Sequence, residues 1–285
     1  MSAIVITGVS TGIGHAAAKL FTSKGIIVFG SVRNEADKAR LQSECGENFR
    51  PLIFDVTDEK KVYDAANDVR QQLQGKTLWG LINNAGIVVQ GALETLPISD
   101  LLKQLNVNLI GQLIVTQAFL PLLGTDKTLI GPPSKIINIS SVAGKHAYPF
   151  MGAYSISKHG LEAFSEGLRR ELMVHGIDVI IVGPGAIKTK IWDKARDEEV
   201  SKEMAQSVYK AAAFKLKEYM LTEADKHALP AETVANLLLH IMQSKHPKVR
   251  YAPVPQKWIN WTIPNLLPKR FLDWGIAKKF GLLQK

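Results

Sequence analysis

The sequence predicts an α/β fold: a doubly wound parallel sheet of about seven strands with helices on both faces, a three-layer sandwich. Three observations carry this. Short β-branched runs alternate with helix-period segments from the first residues to about residue 250. The strand segments are continuous apolar runs, as expected of strands covered on both faces. No internal repeat, low-complexity tract or Gly/Ser linker divides the 285 residues, so one domain spanning 1–285 is the simplest account.

The elements follow in order. "AIVITG" (3–8) is the first strand, and 14–25 a helix with Gly25 as its C-cap. "IIVFGS" (26–31) is a second strand and 34–45 a charged helix. "PLIFDV" (51–56) is a third strand, followed by an amphipathic helix at 58–73. "LWGLINNAG" (78–86) is a fourth strand and turn. A single long helix is predicted over 99–123 with Ser99 as N-cap. "KIINIS" (135–140) is a fifth strand, 153–176 a long helix closed by Gly176, and 177–185 a sixth strand. "KVRYAPV" (248–254) is a candidate seventh. The segment 188–230 interrupts the alternation with a charged, mostly helical insertion, and 124–134 reads as a surface loop. An insertion after a strand's C-terminal end lies where open α/β sheets bind ligands.

Composition narrows the classes. The hydrophobic fraction of 46% supports a sizeable core. Cys45 is the only cysteine, so no intrachain disulfide forms; this fits a reducing, cytoplasmic location. No signal peptide is read at the N-terminus. The apolar stretch within 99–123 is broken by Asn, Gln and Gly and reads as a buried helix rather than a membrane span. The net charge of +9 is spread along the chain with no recognition motif or aromatic–basic stripe, so nucleic acid is not an expected partner.

"TGVSTGIG" (7–14) runs from the first strand into the first helix. Gly8, Gly12 and Gly14 let the backbone turn tightly and approach a pyrophosphate, and the helix N-terminus offers free N–H groups. At the end of the second strand stands Arg33 where an acid would receive a ribose 2′-hydroxyl. A guanidinium suits a 2′-phosphate, so NADP(H) is favoured over NAD(H). In the alternative, Arg33 is solvated and Glu35 takes the hydroxyl. Asp55, at the tip of the third strand, could accept from an adenine amino group or cap the next helix.

Tyr154 and Lys158 in "YSISK" stand one helical turn apart on one face. A free tyrosine, with a pKa near ~10, is a poor base at neutral pH. A neighbouring ammonium stabilises the phenolate and lowers that value, which suits a general acid/base on an alcohol or ketone oxygen. Ser141, at the end of the fifth strand, could hydrogen-bond the same oxygen.

"TGVSTGIG", "NNAG" (83–86), the Ser141/"YSISK" pair and "PGAIKT" (184–189) occur together in this order. In this the sequence resembles the short-chain dehydrogenase/reductase family over about residues 3–250. "GLEAFSEGLRRELMVHGIDVIIVGPG" and "HPKVRYAPV" look most like its retinol and 17-beta-hydroxysteroid dehydrogenase branch. The resemblance implies a Rossmann-type fold with Tyr154 as the general acid/base. Lys158 would lower its pKa and hold the nicotinamide ribose, and Ser141 would polarise the substrate oxygen. Asn108 would hold a water in a proton relay to Lys158, with Asn106 a rival that spacing does not exclude. Cofactor contacts are implied at Gly8, Ser10, Thr11, Gly12, Ile13, Gly14, Arg33, Asp55, Val56, Asn84, Ala85, Gly86, Tyr154, Lys158, Pro184, Gly185, Ile187 and Thr189. No metal is implied. The branch favours bulky apolar alcohols and ketones, the wider family small carbonyls and 3-oxoacyl groups, and the family assembles as homodimers or homotetramers.

A dinucleotide sensor that kept the fold and lost catalysis would not need the Ser141, Tyr154, Lys158 and Asn108 set. The tail at 255–285 carries three Trp among Lys and Arg. It reads as a helical segment closing the pocket or packing on a partner subunit, with peripheral membrane contact as the alternative.

Overall fold

In the computed structural model, residues 2–189, 196 and 202–283 are described. In chain order they form β1 (Ala3–Ile6), α1 (Gly12–Ser23), β2 (Ile27–Val32), α2 (Glu35–Cys45), β3 (Phe49–Ile53), α3 (Glu59–Leu73) and β4 (Gly80–Asn83). Then come α4 (Ile98–Leu105), α5 (Gly111–Phe119), β5 (Lys135–Ile139), α6 (Gly152–Glu171), β6 (Asp178–Val182) and β7 (Ile187–Lys188). The last third holds α7 (Lys202–Ala205), α8 (Lys210–His227), β8 (Leu229–Pro230), α9 (Ala231–Gln243), β9 (Arg250–Tyr251), α10 (Ile263–Leu266) and α11 (Lys269–Phe280).

Seven strands make one parallel sheet in the order β3-β2-β1-β4-β5-β6-β9. The chain winds outward from β1 in both directions, so the strand order reverses between β1 and β4. Ligands bind beyond the strand ends at such a point. Ile4, Ile6, Val28 and Ile137 pack with α1 and α9 on one face. Val5, Phe29, Leu81 and Ile136 pack with α3, α5 and the end of α6 on the other. Alternate residues of one strand serve opposite faces, which is why these strands are apolar throughout.

Local chemistry sets the helix ends. Asn34 caps α2 by accepting from the Asp37 amide at 2.8 Å, and Asp58 caps α3 by accepting from the Lys61 amide at 3.1 Å. Gly25 and Gly176, at φ +74° and +69°, close the segments after α1 and α6 as the sequence predicts.

The predicted helix over 99–123 forms as one run, Ile98–Leu123, but its winding is not uniform. α4 and α5 are joined by a wide π turn at Asn106–Ile110, and the run ends in a tight turn at Leu120–Leu123. A π turn admits one extra residue and re-aims the side chains around it; here it turns Asn108 fully inward. Ser99 is not the cap, because the helix begins at Ile98 behind Pro97. Ile98–Leu123 is long and apolar enough to cross a membrane by length and composition, yet it packs against α3 and α6. The insertion is closed at its base by β7 and β8, where Ile187 pairs with Leu229 and Lys188 with Pro230. Of its residues, 190–195 and 197–201 lie outside the described ones.

Candidate active site

A crevice of about 510 Å³ opens at the C-terminal ends of the central strands. Every residue predicted to touch the cofactor lines it except Gly14. Gly14 serves packing: a Cβ there would sit 2.4 Å from the Gly8 carbonyl oxygen and 2.5 Å from Asn84 Nδ2. Gly8 takes φ +68°, and a Cβ on it would meet Ala85 Cα at 2.9 Å. The loop is pinned from β4: Asn84 Nδ2 donates to the Thr7 and Gly8 carbonyls at 2.9 and 3.0 Å. The Asn84 and Ala85 amides donate to Thr7 Oγ1 at 2.9 and 3.0 Å. The Gly8 amide donates to Ser31 Oγ on β2 at 2.9 Å.

This cradle fits a dinucleotide pyrophosphate. Thr11 precedes α1 without a side-chain capping bond, and the first turn carries no acid. Its amides are therefore left for an anion, and the helix dipole favours one. Arg33 is exposed, lines the crevice and makes no ion pair among the described residues, whereas Glu35 pairs with Lys38 at 3.0 Å and does not line it. Asp55 is not the α3 cap, a role that falls to Asp58. Its Oδ1 accepts from the Thr57 amide and hydroxyl at 3.0 and 2.7 Å, while the residue faces the crevice. Thr189 lies against Gly12, where an added Cβ would meet its Cγ2 at 3.1 Å.

Ser141, Tyr154 and Lys158 line the same crevice. Lys158 is 4% exposed and donates from Nζ to the Ile139 carbonyl, the last of β5, at 2.7 Å. The same ammonium stands 5.8 Å from the Tyr154 ring centroid. Burial pushes Lys158 down to about 8, with the Glu162 carboxylate opposing. The Tyr154 phenol departs from expectation: burial holds it above its ordinary value, and the Ser141 hydroxyl beside it is what pulls it down. Desolvation of the phenolate outweighs its neighbours here.

Asn108 does not line the crevice. It is fully buried behind it: Oδ1 accepts from the Ile87 amide at 2.9 Å, and Nδ2 donates to the Ile87 carbonyl at 3.0 Å and to Ser157 Oγ at 3.2 Å. Its rival Asn106 is exposed. Two residues the sequence did not single out complete a ladder with it. Gln104 bonds the Val89 amide and the Ile87 carbonyl at 2.7 and 3.0 Å, and Gln112 Nε2 donates to the Ala85 carbonyl at 2.5 Å. Three buried amides at four-residue spacing thus grip the segment after β4. That spacing of amides inside an apolar helix was the available signal.

On the substrate side the crevice is walled by Met151, Tyr148, Leu216, Tyr219 and Met220, with Val254 and Asn260 from the C-terminal segment. The insertion and the tail therefore both contribute walls. α11 docks on α8, where Phe280 meets Tyr219 at 5.7 Å between ring centroids.

A phosphate cradle at the switch point of a parallel sheet, beside a serine, a tyrosine and a buried lysine, defines a dinucleotide-dependent oxidoreductase. Residues 2–200 match the family model described as short chain dehydrogenase. The chain belongs to this short-chain dehydrogenase/reductase family and resembles its retinol and hydroxysteroid dehydrogenase branch. It is 38% identical over 273 residues to an NADPH-dependent 3-dehydrocapnine reductase of Ornithobacterium rhinotracheale, covering 94% of each chain. It is 32% identical over 265 residues to human retinol dehydrogenase 16, covering 87% of this chain and 79% of that one. A short-chain dehydrogenase from Streptomyces avermitilis shares the fold at a TM-score of 0.77 and 24% identity, covering 98% and 97%.

Proposed function

We propose that the chain is an NADP(H)-dependent oxidoreductase that moves hydride between the nicotinamide and an alcohol or carbonyl of a bulky apolar substrate. The observation that carries this is the placement of Ser141, Tyr154 and Lys158 on one crevice with the glycine cradle. Arg33, which lines the crevice and makes no ion pair among the described residues, and the relative named as NADPH-dependent support the cofactor choice. The Met, Leu and Tyr walls, and relatives named for retinol, support the substrate class.

The cofactor, when bound, supplies or takes the hydride. The cradle amides, Arg33, Asp55 and the segment Pro184–Thr189 would hold it along the crevice. Ser141 Oγ donates to the substrate oxygen and orients it. The Tyr154 hydroxyl gives its proton to that oxygen during reduction and recovers one during the next cycle. With a pKa near 8, Lys158 is mostly protonated at neutral pH and can still release a proton toward Tyr154. The Asn108 side chain is committed to Ile87 and Ser157, so a water relay through this residue must use its main-chain oxygen.

We further propose a homodimer or homotetramer built on α4 and α6. We infer a cytoplasmic enzyme whose tail closes the pocket or packs on a partner subunit; the alternative, peripheral membrane contact, is suggested by Trp258, Ile259, Leu266, Phe271 and Trp274, exposed among Lys257, Lys269 and Arg270. The catalytic reading is tested by a turnover screen with NADPH on retinal, estrone and long-chain ketones, and with NADP⁺ on their alcohols. At least one pair turns over, and Tyr154→Phe loses at least about a hundredfold in kcat while keeping NADPH affinity. Turnover by the Phe variant near the wild-type rate removes Tyr154 from its role.

A further inference from the structure

Beneath the Ser141 turn lies an ion pair whose two residues do not line the crevice. Arg250, on β9, grips Glu162 through Nε at 2.9 and 3.2 Å and through Nη2 at 3.0 Å. Glu162 stands on α6 one turn past Lys158 and is 3% exposed; Lys145 adds a contact at 3.4 Å. Arg250 Nη2 also reaches the Ser141 carbonyl at 3.5 Å. On its other side, the guanidinium lies over the Trp261 ring at 4.4 Å, and Trp261 meets His146 edge-on at 5.9 Å.

Two glycines make room for the pair. A Cβ on Gly183 would sit 2.4 Å from Arg250 Nη2, and one on Gly144 would sit 3.0 Å from Glu162 Cγ. Burying a charge pair costs desolvation, which returns only when geometry and further hydrogen bonds are good. Packing that pair between the helix carrying Tyr154 and Lys158, the turn carrying Ser141 and a tail tryptophan gives its position a consequence. Its atoms touch all three.

We infer that Arg250 and Glu162 are positioning residues that couple docking of the C-terminal segment, through Trp261, to the placement of the Ser141 turn against α6. The inference rests on the proposed catalytic reading for its effect on rate, but the coupling itself is structural and can be read without substrate. Trp261 stacks on one face of the guanidinium and holds it against the Ser141 carbonyl. When the tail lifts, the guanidinium loses that backing, and the 141–146 turn is freed. Asn260, beside Trp261, lines the crevice, so the same docking that shapes the substrate wall tightens the catalytic turn.

Hydrogen exchange on the NADPH-loaded full chain tests this, comparing Trp261→Ala and Trp261→Phe with wild type. In Trp261→Ala the amides of 143–146 exchange about tenfold faster, those of 7–14 do not change, and Phe restores protection, as expected from loss of a partly desolvated cation–π contact. Arg250→Lys produces the same local loosening, and combining it with Trp261→Ala adds little, because the two act through one contact. On whichever of retinal, estrone or long-chain ketone turns over, kcat falls along with any rise in KM. Unchanged exchange at 143–146 in Trp261→Ala, or an increase spread evenly over the molecule, overturns the coupling. A rise in KM at constant kcat also overturns it, reducing the tail to a pocket wall. A wild type inert on all three carbonyls instead counts against the catalytic reading, and the exchange result still decides the coupling.

Discussion

Lys158 concentrates the residue-scale physics of the site. Its ammonium keeps one hydrogen bond to the Ile139 carbonyl, but burial strips it of water, so its proton is held loosely, near 8. Tyr154 beside it is held the other way, its phenol pushed up by burial. At neutral pH the phenol therefore keeps its proton and does not stand as a ready phenolate. Arg33 makes a separate, sharper prediction. It lines the crevice, exposed and without an ion pair among the described residues, while nearby Arg40 is taken by Asp37 and Glu44. Arg33→Asp weakens NADPH binding by about 10- to 100-fold, the worth of a charge-assisted hydrogen bond. NADH binding moves by less than about threefold, and fluorescence titration of both cofactors is the check. An equal loss for both shows that Arg33 does not read the 2′-phosphate.

At the scale of elements, the π turn between α4 and α5 is the informative feature. It turns Asn108 inward, between Gln104 and Gln112, so that three amides grip the chain after β4. That chain carries Ala85 and Gly86 on the crevice. Asn108→Ala leaves the Ile87 amide without a partner and its carbonyl with Gln104 alone, and costs about 1–3 kcal/mol in chemical denaturation. It also exposes the Ile87 amide to exchange. A variant as stable as wild type, with Ile87 still protected, rules out the ladder as a support.

For the whole molecule, two groups of exposed apolar side chains among the described residues bear on assembly. Ile98 and Leu102 stand one turn apart on α4, at 68% and 52% exposure, with Ile156 on α6. An oligomer closing over them buries this area, so Leu102→Lys shifts the mass in light scattering toward the monomer; an unchanged mass moves the interface elsewhere. The second group lies in the tail. On the membrane-contact alternative, flotation with phosphatidylserine-containing vesicles carries the wild type and not a Trp258→Ala/Phe271→Ala/Trp274→Ala variant, and salt weakens the association. Failure of the wild type to float assigns the tail to pocket closure alone.

Much of this was legible in residue order. Periodicity is a local property, so the strand–helix alternation announced a parallel sheet, and "TGVSTGIG", Ser141 and "YSISK" announced residues that meet on one crevice. Such motifs are legible because each function resides in a few neighbouring residues whose geometry a strand end or a helix turn already imposes. The long helix over 99–123 forms, but its π turn was not legible for the complementary reason. There Asn108 bonds Ile87, which lies outside that segment. Glu162 and Arg250 were likewise invisible, because a charge on a helix and a charge on an edge strand look solvated until the fold joins them. The chain's own order determined the family, the sheet and the candidate reacting groups. Tertiary structure alone decided that burial raises Tyr154 and lowers Lys158, that Asn108 acts from behind the site, and that the tail reaches Ser141 through Arg250. Desolvation and long-range pairing depend on what the rest of the chain brings alongside, and no local pattern encodes that.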